Sequence, residues 1–440
     1  MKIKSLLIGV SALGLASAAH AVVTPAPVVV NITGATAFRA AAHAAIVAGF
    51  NSSTLQIGTT GSNSGNVNGH SNVIYKGQWI GTNGTTIVRT SWTGSVEGIR
   101  ALAAPTNVNL AATKYISVNA TLLTAGNITV SLPTDSANLL SSNATVKADA
   151  AYSDCAVKSS PYAANAATLK GGAVGVIAFA PCVNKDANAG ITNVTAQQIR
   201  ELHKNGTAPL MRFTGNTSDT ALVYNVQRYD GSGTRVIALS ETGYGAATKA
   251  KGYVFGNLTL SSTPTLCPAS NSTADYSGFG SSGGVNYVSL STDFYPTALD
   301  EGNGGYVSGG KIASLLITTG SVNVVSVLGT SDAKTVYNNG SNGGRILSYN
   351  GEKLEGLAST GSMTTPDKDK VRSGKYSLWS FENFFYVGTP TGNKLAVINT
   401  LGTPANYDSA SIALSSMQVK RTAATTPTTA SPDAGVIEPK

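Results

Sequence analysis

The sequence is poor in the residues that would make several functions easy to assign. Cysteine occurs three times in 440 residues, at Cys155, Cys182 and Cys267. That excludes a disulfide scaffold, so burial of apolar surface must hold the chain together. Cys155 and Cys182 are the closer pair and could bridge in an oxidising compartment, but three thiols cannot all pair internally. Charge is also scarce, at 12% of residues. No dense Lys/Arg cluster and no basic stripe with interleaved aromatics is present, which argues against nucleic acid as a partner. Past His20, the histidines are His43, His70 and His203, scattered without metal-ligand spacing, so no metal is expected. His203, on a polar helix, reads as a solvated side chain. No apolar run reaches the roughly 20 residues that would span a bilayer. A Walker loop and a dinucleotide fingerprint are absent, so no cofactor is expected. Asp230 and Thr234 stand where a G-x-S-x-G elbow would carry its outer glycines, which removes that nucleophile. With these signatures missing, the chain is not expected to be an enzyme.

What is present begins with a targeting pattern. Lys2 and Lys4 precede an apolar run from Leu6 to Ala16, and Ala19-His20-Ala21 forms an A-x-A cleavage site. This describes a secretory signal peptide over residues 1–21. No cysteine lies near the cut for lipid attachment, so the mature protein is expected in a bacterial periplasm and not as a lipoprotein. Cleavage leaves about 419 residues, enough for two domains of ordinary size. The net charge of +8 gives a mildly cationic surface that favours anions in general.

Along the chain, strands alternate with helices across glycine-containing turns. Val28 to Ile32 leads through Thr33-Gly34-Ala35-Thr36 to an alanine-rich helix stopped at Gly49. Thr86 to Trp92 leads through Thr93-Gly94-Ser95 to a short helix before Pro105. Leu222 to Gln227 leads through Asp230-Gly231-Ser232-Gly233-Thr234 to a third helix. This alternation predicts an α/β fold with largely parallel sheets. Thr195 and Gln198 form a capping box that opens another helix, with Val194 and Ile199 as its staple and Gly206 as its stop. Val174 to Val183 is a continuous apolar run, as expected of a strand buried on both faces. Asn51 to His70 and Asn107 to Asn143 read as inserted decoration, and residues 422–440 as a flexible tail.

Each of the three turns places Gly, Ser or Thr at a helix N-terminus, where free N–H groups and the helix dipole favour an anion. One such turn is commonly a plain loop. Three on one chain can converge on a single tetrahedral anion. Arg228 adds planar, permanently charged donors that can pair bidentately with an oxyanion. Asp154, which joins this set only through the resemblance given next, is the odd member, because a carboxylate repels an anion unless the ligand carries a proton for it to accept. Phosphate does so near neutral pH and sulfate does not, so Asp154 would admit the first and reject the second. The plainer alternatives are an Arg228–Asp230 surface ion pair, an Asp154 turn and a Ser95 helix cap.

Arg228-Tyr229-Asp230-Gly231-Ser232-Gly233-Thr234 resembles the R-x-D-G-S-G-T segment of the periplasmic phosphate-binding proteins of ABC transporters. Gly34-Ala35-Thr36, Gly94-Ser95-Val96-Glu97-Gly98 and Tyr152-Ser153-Asp154 resemble that family's other loops, in the same order. Asn323 to Ala333 and Val371 to Tyr386, with Gly374-Lys375-Tyr376-Ser377-Leu378, look like further landmarks. The spacings from Thr36 to Ser95 and from Ser95 to Asp154 are longer than is usual there, and Ala37 replaces a common aromatic residue. The resemblance implies a two-lobed type II periplasmic binding protein, each lobe a mixed sheet flanked by helices, with the ligand in the cleft between them. One lobe would span residues 22–183 with a return at 377–421, and the other residues 184–376. The resemblance further implies that Thr36, Ala37, Ser95, Asp154, Arg228, Ser232, Gly233 and Thr234 bind inorganic phosphate, with Asp230 holding Arg228. A monomer that closes around phosphate and passes it to an inner-membrane ABC permease is the function so implied. The alternatives are a binder of another oxyanion or a phosphate ester, or a surface protein that keeps the fold without transport.

Overall fold

The computed structural model describes residues 26–440 apart from 61–66, 104–112, 120–128, 133–138, 142–145, 247, 268–286, 289–303, 307, 338–342, 410, 422–432 and 434–436. The elements that position the site are, in chain order, β1 (Val28–Gly34), α1 (Arg39–Gly49), β2 (Gln56–Thr60), β3 (Asn72–Gly77), β4 (Thr86–Ser91), α2 (Ser95–Ala103), β5 (Thr129–Leu132), β6 (Ala150–Ser153) and β7 (Lys170–Val183). They continue with α3 (Ala196–Asn205), β8 (Thr207–Pro209), β9 (Leu222–Asn225), α4 (Gly233–Glu241), β10 (Asn323–Gly329), α5 (Thr330–Tyr337), β11 (Arg345–Ile346) and β12 (Trp379–Tyr386).

Twelve strands hydrogen-bond in the order β8-β9-β10-β7-β12-β6-β1-β4-β3-β2-β5, with β11 also on β7. β6, β1 and β4 are mutually parallel, as are β9 and β10, while β7 and β12 run antiparallel to their neighbours. The long strand β7 serves both halves. Lys170 to Ala178 pair with β12, and Phe179 to Val183 pair with β10. The change of partner falls between Ala178 and Phe179, where Phe179 N–H also bonds the Leu378 carbonyl at 3.0 Å. Each half therefore carries a mixed sheet flanked by helices, the expected α/β architecture. One apolar core gathers around Val30, Ile32, Ile46, Trp79, Trp92 and Phe384, and a second around Ile199, Val223, Ile237 and Val324.

The predicted capping box is present. Gln198 N–H donates to Thr195 Oγ1 at 3.2 Å, the Gln198 side chain accepts from Thr195 N–H at 2.7 Å, and Gly206 ends the helix left-handed.

Three expectations change and one open question closes. Gln56–Thr60, within the stretch expected to be decoration, is a strand of the main sheet, because Leu55 and Ile57 bury between polar neighbours. The tail is anchored at its end. Ile437–Pro439 pairs with Val419–Arg421, and buried Asp433 accepts the Ala156 N–H at 3.0 Å. His203 is buried, not solvated, with Asn225 Nδ2 donating to its Nδ1 at 3.3 Å. Cys155 and Cys182, whose pairing the sequence leaves open, are buried and form no bridge with each other. The signal-like segment 1–21 lies outside the described residues.

Candidate anion-binding site

Parallel strands bring their C-terminal ends, and the turns that follow, to one edge of a sheet, where α/β proteins place ligands. The pairing of Thr33 with Ser91 and of Gly34 with Tyr152 aligns β1, β4 and β6 at that edge. The turns carrying Thr36, Ser95 and Asp154 consequently start side by side. In the other half, β9 and β10 run parallel with Asn225 opposite Val325, so the chain leaves their C-terminal ends towards Arg228 and the start of α5.

Backbone conformation fixes the first contacts. Gly34 (φ +114°) and Gly94 (φ +122°) lie where side chains are strained. Gly94 N–H bonds Gly34 O at 2.9 Å, and Ala35 N–H bonds Tyr152 O at 2.9 Å, which knits the three turns of the first half together. The turns of the two halves then touch. Val96 N–H and Glu97 N–H, at the start of α2, donate to Gly231 O at 3.0 and 3.3 Å. Tyr229 donates its hydroxyl to Thr93 O.

The structure brings together Ser95, Asp154 and Gly233. Asp154 N–H donates to Ser95 Oγ at 3.1 Å. A β-carbon added to Gly233 would stand 2.4 Å from Ser95 Oγ and 2.9 Å from Asp154 Cβ. Ser232 and Thr234 flank this point at the start of α4, and Ser232 makes no capping bond with its side chain. Ser95, Asp154, Arg228, Ser232 and Thr234 are each no more than 3% exposed. Arg228 Nε donates to Tyr306 O at 3.2 Å. Thr36 and Ala37 are half-buried in the turn before α1. Ala37 packs on Gly329, where an added β-carbon would lie 3.1 Å away.

Burial disfavours charge throughout this region. It raises Asp154 above the usual carboxylate value, against hydrogen bonding from Glu382 and Ser95 and the charge of Arg228. It weakens the hold of Arg228 on its proton, which Tyr229, Asp332 and Asp154 oppose. Asp332 and Asp154 both act on the Arg228 charge, and Asp230 sits buried in the same turn.

Three charged residues were not foreseen. Arg39, the first residue of α1, shares the charge of Asp332 with Arg228. Asp332 stands in the first turn of α5. Glu382, in the middle of β12, is fully buried and meets Asp154. The one sequence signal for Glu382 is a lone charged residue in the aromatic-rich run Trp-Ser-Phe-Glu-Asn-Phe-Phe-Tyr. Chemically, the arrangement offers arginine charge, hydroxyls and a helix N-terminus at α4, with one carboxylate able to accept a proton-bearing ligand atom.

No family model and no curated protein matches the chain. Among solved structures, it is similar to a protein of Clostridium perfringens described as a phosphate ABC transporter substrate-binding protein with bound phosphate. Identity is 12% and the TM-score 0.41, over 85% of this chain and 92% of that one. An ABC-type phosphate transport receptor of Vibrio cholerae matches at 14% identity and a TM-score of 0.33, over 59% and 76%. PstS of Borrelia burgdorferi matches at 13% identity and a TM-score of 0.33, over 85% and 92%.

Proposed function

We propose that this protein binds inorganic phosphate between its two halves and hands it to an ABC permease in the inner membrane. The reading rests on one observation: Ser95, Asp154 and Gly233, from turns of both halves, meet at a single buried point within the field of Arg228. An arginine and hydroxyls suit any oxyanion, but a buried carboxylate beside them suits an oxyanion that still carries a proton. Sulfate lacks that proton near neutral pH. The tight approach of Gly233 to Ser95 and Asp154 also favours a small inorganic anion over a phosphate ester, whose organic group would need room there. Contacts from both halves make ligand binding favour the form in which they are together. Among the described residues, no helix is long and apolar enough to cross a membrane. Export to the periplasm rests on the leader-like start, and the role is one of binding without chemical conversion.

The test is calorimetric titration of the mature, ligand-stripped protein with phosphate and then sulfate near pH 7, repeated on Asp154→Asn. The expected result is binding of phosphate, exclusion of sulfate, and discrimination reduced in Asp154→Asn. Failure of the wild-type protein to bind phosphate would overturn the reading.

A further inference from the structure

Glu382 lies in the middle of β12, where the pairing with β7 shifts register between Glu382 and Asn383. Its side chain is 0% exposed, and its carboxyl group meets that of Asp154 in hydrogen-bonding contact. Within hydrogen-bond geometry, neither Glu382 oxygen has a donor from the protein, and neither does Oδ1 of Asp154. Two carboxylates in contact and out of water cannot both be ionised, so such a pair holds a proton and titrates as a unit.

The surroundings decide where that proton resides. Asp154 has the Arg228 charge and the Ser95 hydroxyl, both of which favour its ionised form. Glu382 faces Asp154, the phenols of Tyr152 and Tyr407, and the thiol of Cys155. The Ser153 backbone, short of a formed hydrogen bond, favours its ionised form as the smallest of the influences on it, and burial outweighs the rest, holding Glu382 well above the usual carboxylate value. Asp433 adds a further negative neighbour to Asp154 and Cys155 from the chain terminus. No cation acts on Glu382 among these groups.

We propose that Glu382 is a positioning residue that carries a proton at neutral pH and donates it as a hydrogen bond to Asp154. The donation holds Asp154 as a charged acceptor despite its burial and leaves Oδ1 for a hydroxyl of the bound oxyanion. Glu382 thereby sets the preference for a protonated oxyanion over an unprotonated one, without touching the ligand. This rests on the phosphate reading for its consequence, but the shared proton itself does not. Without the donor, burial would drive a proton onto Asp154, turning it into a donor that sulfate can use.

Infrared spectroscopy of the ligand-free protein at neutral pH tests the proton directly. The carbonyl stretch of a buried carboxylic acid is expected in the wild type and lost in Glu382→Gln. Titration with phosphate and sulfate then tests the role. Glu382→Gln, which keeps a donor, is expected to retain exclusion of sulfate. Glu382→Leu is expected to lose at least about tenfold in the preference for phosphate over sulfate, as one charge-assisted hydrogen bond would give. An acid band unchanged in Glu382→Gln overturns the proposal, as does undiminished discrimination in a folded Glu382→Leu. A wild type that shows the band but binds no phosphate overturns the proposed function while leaving the proton on Glu382. Should Glu382→Leu not fold, the infrared comparison remains decisive.

Discussion

His43 gives the sharpest prediction about stability. It is fully buried in α1 between Trp92 and Tyr75. Trp92 Nε1–H can only donate, and it points at His43 Nε2 at 3.0 Å, so Nε2 must be the acceptor. The ring proton therefore sits on Nδ1 and is given to the Tyr75 hydroxyl oxygen. A second proton on Nε2 would meet the indole N–H head-on. Burial, with the nearby Arg39 charge, lowers the pKa of His43 from 6.5 to about 3. The folded pKa lies below the unfolded one, so this stabilisation is complete above pH 6.5 and is lost as pH falls towards about 3. Between pH 7 and pH 4 the loss from this one group is about 3 kcal/mol, at 1.36 kcal/mol per pH unit below the unfolded pKa. His43→Gln can keep both hydrogen bonds but does not titrate. At pH 7 the variant is expected to be less stable than the wild type by about 1–2 kcal/mol, from imperfect packing. At pH 4 the order should reverse. The assay is urea unfolding at pH 7, 6, 5 and 4, followed by tryptophan fluorescence, for which Trp92 is a local reporter. A stability difference that stays constant from pH 7 to pH 4 would refute the tautomer and the burial argument together.

Replacement of Arg228 by alanine removes a buried charge from the centre of the site. Phosphate affinity should fall about 100-fold or more in calorimetric titration. Gly34→Ala places a β-carbon 2.0 Å from Tyr152 O at φ +114°. It should destabilise by about 3 kcal/mol or more, seen as a lowered melting temperature or loss of soluble protein. Asp367 accepts the N–H groups of Gly356, Leu357 and Thr364 at 3.2, 2.9 and 3.1 Å while fully buried. Asp367→Ala leaves these donors unmatched and should lower unfolding stability by about 3 kcal/mol in urea titration. Glu382 acts in the opposite sense to His43. Its raised pKa stabilises the fold most below the usual carboxylate value, and this is lost as pH rises. The stability of Glu382→Gln relative to wild type should therefore increase from pH 5 to pH 8.

The parts legible in the sequence are those with local causes. Glycine and hydroxyl residues after a β-branched run mark the turns at Gly34, Gly94 and Gly231, and the structure places each between a strand and a helix. Thr195, Gln198 and Gly206 specify α3 within one stretch of chain, and that helix forms as expected. Glu382 and Asp332 were not legible, because what matters about them is a partner brought from far along the chain. A carboxylate in an aromatic strand signals something unusual but does not name Asp154. His203 was misread for a similar reason. Its helix is polar, yet Asn225 and Tyr244 cover that position from other elements. Gln56–Thr60 was hidden by composition, since Ser, Gly and Thr also dominate loops, and only its pairing with β3 reveals the strand.

The carbonyl of Gly231 has a consequence for kinetics. It occupies the first N–H groups of α2, the very donors an incoming anion would seek at that helix. It is a tethered competitor at enormous local concentration, so recruiting those donors is a swap and not a simple gain. Measured affinity would be net of that swap. On the proposed reading the same feature would help release, because a departing anion would leave donors that a neighbouring carbonyl can retake at once. For the proposed shuttle, which would have to surrender its cargo on arrival, a resident substitute is worth more than the tightest possible grip.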